Sequence, residues 1–184
     1  MGSKFAKTMY SSPASKLLQE QHHSRAQYER LAALGSRDEA LGEFEQQFIE
    51  LRDSFYLGSF NEEGWPYIQH RGGPAGFLHV LDGRTLAFAD FAGNKQYITT
   101  GNLATNDRVA LFLMDYPHQA RLKIIGHARL VELGEDAALE ARLQHPTDAS
   151  KIERIFVISV TAYDWNCSQH ITPRYTREEF AHGI

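Results

Sequence analysis

Four short segments hold the residue types that could bind or transform a ligand. In His70-Arg71-Gly72-Gly73-Pro74 an arginine stands beside two glycines. A guanidinium offers a planar fork that matches a phosphate, and glycines let a backbone come close to a ligand. The same composition also makes an ordinary turn with a solvated arginine. In Asp90-Phe91-Ala92-Gly93-Asn94-Lys95 a polar loop precedes an expected short helix. An anion is well placed at such a helix N-terminus, with Lys95 adding a point charge; a plain capping loop has the same look. Arg121-Leu122-Lys123 puts two cations on one face of a strand, because side chains alternate with period two. They need an anion only where that face lines a cleft. The run from Trp165 to Tyr175 is dense in aromatic, amide and cationic groups, unlike a simple polar terminus. It is expected to close over a site.

Several chemistries are excluded by what is missing. There is no Gly-x-x-x-x-Gly-Lys-Ser/Thr, no Gly-x-Ser-x-Gly and no His-Glu-x-x-His. Cys167 is the sole cysteine, so no internal disulfide and no Cys₄ or Cys₃His zinc site can form. The nine histidines are scattered, and no metal site is expected. Cys167 and His170 could be imagined as nucleophile and base, but closeness in sequence does not establish the geometry.

Composition narrows the partners. The 184 residues carry 19 Lys+Arg against 23 Asp+Glu, a formal charge of −4. Such a chain is poorly suited to bind nucleic acid or an anionic membrane surface. No apolar run approaches the roughly 20 residues of a membrane span, and no secretory signal core is present. A cytoplasmic protein is expected. With 42% hydrophobic and 23% charged residues it has globular, not disordered, proportions.

The elements that must position these segments follow from period and punctuation. One helix is expected over 12–34, with Ser12 as cap, Pro13 in the first turn and Gly35 as a left-handed stop. A second is expected from the Ser36…Glu39 capping box, burying Leu41, Phe44, Phe48 and Leu51. From residue 54 the period shortens. Strands are expected over 55–60, 65–70, 76–81, 84–88, 108–114, 121–131 and 154–162, with short helices near 95–104 and 135–143. Asp82-Gly83 marks a hairpin, and Pro66 belongs near a strand end or an edge. Six or seven antiparallel strands without regular helical crossovers point to a closed or partly closed barrel rather than a Rossmann sheet. The chain divides into a helical extension, 1–53, and a barrel domain, 54–184.

Taken together, the segments resemble the pyridoxamine 5′-phosphate oxidase-like flavoproteins, the FMN-binding split-barrel group. The resemblance runs from Phe55 to Tyr175 and rests on Arg71-Gly72-Gly73-Pro74-Ala75-Gly76-Phe77, Phe88 to Asp90, Gly93 to Lys95, Gly101 to Leu103 and Arg121 to Gly126. It implies a mainly β fold, a six-stranded Greek-key split β-barrel, and a homodimer with FMN at the subunit interface. It also implies that Arg71, Gly72 and Gly73 form the first FMN segment. Phe88, Ala89 and Asp90 would lie beside the flavin, and Asn94 and Lys95 would meet the phosphate. Arg121 and Lys123 would flank ring and phosphate. Trp165 and Arg174 would be brought to the cofactor by the C-terminal segment, with Gln169 between them. Gly76 stands where the vitamin-converting enzymes carry a lysine, so the resemblance is to the wider group. It implies an FMN-dependent oxidoreductase acting on a small substrate or a nicotinamide donor. No residue is singled out as catalytic, with His70, His170 and Tyr175 the nearest candidates. Two alternatives stay open: a haem-binding split barrel using His170, and a non-catalytic flavin-binding or sensing module.

Overall fold

The computed structural model describes residues 2–35, 37–143, 152–165 and 168–181. Three helices come first: α1 (Lys4–Met9), α2 (Pro13–Gln21) and α3 (Arg25–Leu34). The helix expected over 12–34 is therefore two. Ser12 caps α2 and Pro13 opens it, but the chain breaks at His23, which takes a φ of 57°. No continuous apolar stripe holds the two halves in line, so the polar His22-His23-Ser24 stretch turns instead. Gly35 ends α3 with φ −60°, an extended stop rather than a left-handed one.

The next helix, α4, spans Glu43–Glu50, later than the capping-box reading had it. Ser36 lies outside the described residues. The cap is Gly42, whose amide donates to Glu45 at 3.0 Å. Leu41 is buried ahead of the helix, which shifts the phase of the apolar stripe. Phe48 and Ile49 face the core, while Phe44 and Leu51 are 67% and 68% exposed.

Seven strands follow: β1 (Ser54–Phe60), β2 (Pro66–Gly72), β3 (His79–Asp82), β4 (Thr85–Phe91), β5 (Arg108–Asp115), β6 (Ala120–Glu132) and β7 (Ile152–Trp165). Helix α5 (Ile98–Thr105) joins β4 to β5, α6 (Ala137–Leu143) lies between β6 and β7, and α7 (Arg177–Ala181) ends the described chain. The strands form one antiparallel sheet in the order β2-β1-β5-β6-β7-β4-β3. Pro66 falls at the end of edge strand β2, where a missing ladder donor costs least.

The sheet is rolled. Strands β1 and β4 have β5, β6 and β7 between them, yet Phe55 on β1 meets Phe88 on β4 edge-on at 5.3 Å. Phe77 stacks on Phe55, and Phe156 stacks on Phe88. Around these rings Leu57, Leu111, Leu113, Leu122, Ile124 and Ile158 fill a split-barrel core with essentially no exposure. The roll needs a close crossing at Gly126, where the β6–β7 register slips by one residue. A Cβ there would stand 2.4 Å from the Ser159 carbonyl oxygen, so only glycine fits.

At the turn end of β5, Asp115 accepts hydrogen bonds from the His118 amide and ring and pairs with Arg52 at 2.9 Å. Burial alone would raise the Asp115 carboxyl. The His118 bonds and the Arg52 charge outweigh it and hold the carboxyl below its usual range. A depressed carboxylate stabilises the fold above the unfolded aspartate pKa of about 3.9 and loses that contribution as pH falls through its folded value. Asp115→Asn is expected to cost about 1–3 kcal/mol at neutral pH. The gap from wild type should narrow on acidification. Urea unfolding at pH 7 and pH 3 checks both, and a gap that does not change with pH would refute the assignment.

Candidate functional site

Arg71 and Asp90 come together across the opening of the roll. Arg71 is on edge strand β2, paired in register with Phe55, so it belongs to a strand rather than to a turn. Asp90 is on β4, near the other edge of the sheet. One guanidinium nitrogen of Arg71 donates to Asp90 Oδ1 at 2.5 Å. The same guanidinium lies 5.1 Å from the Phe156 ring centre, and its Nε is buried with no hydrogen-bond partner among the described residues.

Beyond Asp90 the chain turns through Gly93, Asn94 and Lys95 into α5. Lys95 is exposed, at a φ of 59°, and forms no ion pair among the described residues. Tyr97 precedes α5 in the left-handed region and gives the helix no side-chain cap. The first amides of a helix lack an intrahelical acceptor, and among the described residues no side chain supplies one. Helix α5 is fastened from below: the Asn102 side-chain amide donates to Ser59 at 2.9 Å, and Thr99 donates to Gln69 at 2.8 Å.

These groups line one cleft. Arg71 and Gln69 come from β2, Asp90 from β4, Gly93, Asn94 and Lys95 from the loop, Thr99 and Thr100 from α5 and Glu153 from β7. The cleft encloses about 70 Å³. A water needs roughly 10–15 Å³ on that measure, so a compact polyatomic anion fits and a ring system does not. A planar guanidinium, a free ammonium and an uncapped helix N-terminus in one small space can hold such an anion.

The remaining expected site residues stand elsewhere. Gly72 lies on β2, and a Cβ on Gly73 would run into the Phe77 ring at 2.8 Å, so Gly73 makes room for packing. Phe88 and Ala89 are buried, Phe88 stacked 4.8 Å from Phe156. Lys123 pairs with Asp164 at 2.8 Å and lies over the Phe5 ring. It borders a groove of about 490 Å³ on the outer sheet face with Tyr56, Ile68, Phe112 and Ile125. Arg121 precedes it on the same strand, its Nε buried without a partner among the described residues. Trp165 is on β7, wedged against Phe44 and Phe48, and its indole donates to buried Glu45 at 2.8 Å. Beside it, burial raises the Tyr163 phenol, reinforced by Glu45 and Asp38. Gln169 and His170 are exposed, and Arg174 lies over the Tyr116 ring at 4.9 Å. Ile171 is buried, and its carbonyl accepts from Gln119 at 2.6 Å. His70 is exposed on β2 against Tyr56, and Tyr175 is 46% exposed. Asn166 and Cys167 lie outside the described residues.

Glu153 and the threonines of α5 also line the cleft, and no local signal in the sequence points to them. Only the pairing of β4 with β7 and the seating of α5 on β1 and β2 bring them to Asp90.

Comparisons with known proteins agree with this architecture. A family model described as pyridoxamine 5′-phosphate oxidase matches residues 41–163. HupZ from Group A Streptococcus superposes with a TM-score of 0.55 at 14% identity, over 73% of this chain and 99% of its own. A pyridoxamine 5′-phosphate oxidase candidate from Lactobacillus delbrueckii gives 0.53 at 17% identity, over 71% and 97%. A Clostridium acetobutylicum protein related to general stress protein 26 gives 0.50 at 14%, over 72% and 92%. At these identities the likeness is one of fold. A comparison with curated proteins gives no match. Among the described residues no helix is long and apolar enough to cross a membrane.

The Trp165 environment makes a prediction of its own. Trp165→Phe leaves buried Glu45 without its indole donor, which is expected to cost about 1–3 kcal/mol. Chemical denaturation would show it as a lower midpoint; an unshifted midpoint would mean that the indole bond contributes nothing.

Proposed function

Because the chain belongs to the pyridoxamine 5′-phosphate oxidase family, we propose that it binds FMN and works as a flavin-dependent oxidoreductase. It would pass hydride or electrons between the flavin and a small-molecule substrate or nicotinamide donor. In this reading residues 54–184 carry the flavin site and residues 1–53 form a helical extension fastened to it. The single cysteine suits a reducing compartment, the cytoplasm.

One observation carries the reading: Arg71, Lys95 and the uncapped start of α5 line the same small cleft. Their chemistry fits a phosphate monoester. Arg71 offers a planar fork. Lys95 offers a charge that no carboxylate neutralises among the described residues, and the first amides of α5 offer oriented donors. Asp90 holds the Arg71 fork in place. FMN, when bound, supplies the electron chemistry, while the chain binds, orients and shields it.

The size of the cleft bears on the ring. About 70 Å³ takes the phosphate only, so the flat ring needs walls outside it. The outer face of β1, β2, β5 and β6 is apolar, with Tyr56, Phe60 and Ile68 between 40% and 69% exposed. A surface of that kind calls for a partner. A second copy of this chain, seated there, would cover the face and complete the flavin site at the interface.

Absorbance during FMN titration tests the cofactor. Bound oxidised flavin is expected, and Arg71→Ala with Lys95→Ala should weaken FMN binding about a hundredfold or more. Undiminished flavin retention in the folded double variant would refute the phosphate assignment. Light scattering tests the assembly. Wild type is expected to be a dimer and Ile68→Glu a monomer, and a monomeric wild type that still holds flavin would contradict the interface site.

A further inference from the structure

Arg154 does not line the anion cleft, yet four residues that do line it converge on its guanidinium. It is third in β7 and stands directly opposite Asp90 on β4. One terminal nitrogen donates to Thr100 Oγ1 at 3.1 Å and lies 4.0 Å from the Asp90 carboxylate. The guanidinium carbon lies 4.9 Å from the centre of the Tyr97 ring. The second terminal nitrogen donates to Glu153 at 3.4 Å, and Glu153 also accepts from the Tyr97 hydroxyl. The side chain is 13% exposed, and its Nε is buried without a partner among the described residues.

Two consequences follow from that placement. The first concerns charge. Arg71, Lys95 and Arg154 set three cations against the carboxylates of Asp90 and Glu153. Without Arg154 the cleft would be neutral, and the excess that attracts an anion would be gone. The second concerns direction, and Tyr97 holds a left-handed φ of 49° at the start of α5, a conformation that a non-glycine residue keeps only where its surroundings impose it. The Arg154 guanidinium holds the start of α5 at two points, the Tyr97 ring and the Thr100 hydroxyl. The same guanidinium approaches Asp90, whose other oxygen takes the Arg71 fork.

We propose that Arg154 is the positioning residue of this cleft. It aims the α5 amides and, through Asp90, the Arg71 fork at one anion, a phosphate monoester. Only a planar group with several donors can serve Thr100, Glu153, Asp90 and the Tyr97 ring at once. A lysine at this position would restore the charge and lose the grip. The inference deepens the flavin reading and rests on it.

The test compares affinities for FMN and for riboflavin, which lacks the phosphate, in wild type, Arg154→Lys and Arg154→Gln. Wild type is expected to prefer FMN. Both variants should lose about tenfold or more of that preference while riboflavin affinity stays near wild type, which a general loss of folding would not produce. Thr100→Val removes one acceptor of the fork from the cleft wall and leaves β7 untouched. A smaller fall of the same ratio is expected there, which keeps the test open should the arginine variants fold poorly. A wild-type preference that the folded Arg154 variants or Thr100→Val retain in full overturns the inference, as does a lysine variant equal to wild type. A wild type without any preference for FMN overturns the phosphate reading and this inference together, a result distinct from the others.

Discussion

The carboxylate of Asp90 is where the two ends of the sheet meet. Arg71 reaches it from edge strand β2, and Arg154 stands opposite it on β7. Two guanidiniums this close repel unless an anion lies between them, so Asp90 cannot be removed without exposing that repulsion. A buried ion pair adds little net stability, because desolvation offsets most of its Coulomb energy, but breaking one leaves a charge buried and unpaired, at about 3–5 kcal/mol. The arrangement therefore acts as a geometric constraint. It fixes where β2 lies against β4, and so how far the roll closes and where the cleft opens.

Strand β7 connects that constraint to the rest of the molecule. Arg154 is near its start and Trp165 at its end, roughly 35 Å apart at about 3.3 Å per residue. At the far end two buried carboxylates fasten the N-terminal helices. Asp38 accepts from Ser3 Oγ and from the amides of Lys4 and Phe5, so it caps α1, and its carbonyl takes the Tyr163 amide. Glu45 takes the Trp165 indole and the Gly42 amide. The residues before β1 are thus not a loose appendage: Leu41, Phe48 and Ile49 are buried in the barrel core. The aromatic density of the C-terminal run has two uses, since Trp165 anchors α4 while Ile171 and Arg174 pack against the β5–β6 turn.

Part of the candidate site was legible because its chemistry is local. Arg71 beside a strand end, and Gly93, Asn94 and Lys95 ahead of a helix, are patterns set by a few consecutive residues, and the structure joins them in one cleft. Glycine was read less well. Gly73 suggested backbone approach to a ligand, yet its hydrogen faces the Phe77 ring. A missing Cβ serves a ligand or a neighbouring side chain equally, and only the neighbour's position tells which. The helix boundaries before residue 54 were misread for a related reason. The stripe from Leu41 to Leu51 counted a residue that is buried ahead of the helix, and so placed Phe44 on the wrong face.

By itself, the sequence determined that the chain is mainly β, roughly where the strands from residue 54 lie, and which short segments bring cations and glycines close to a helix start. Those properties follow from period, turn residues and side-chain type within a few positions. Which strands become neighbours was decided by tertiary structure alone. The opposition of Asp90 and Arg154, the meeting of Arg71 with Asp90 and the seating of α5 over Ser59 join residues 64, 19 and 43 positions apart. Burial of Phe55, Phe88 and Phe156 in one core is what makes those distances short, because rolling the sheet removes that apolar surface from water and brings its edges together.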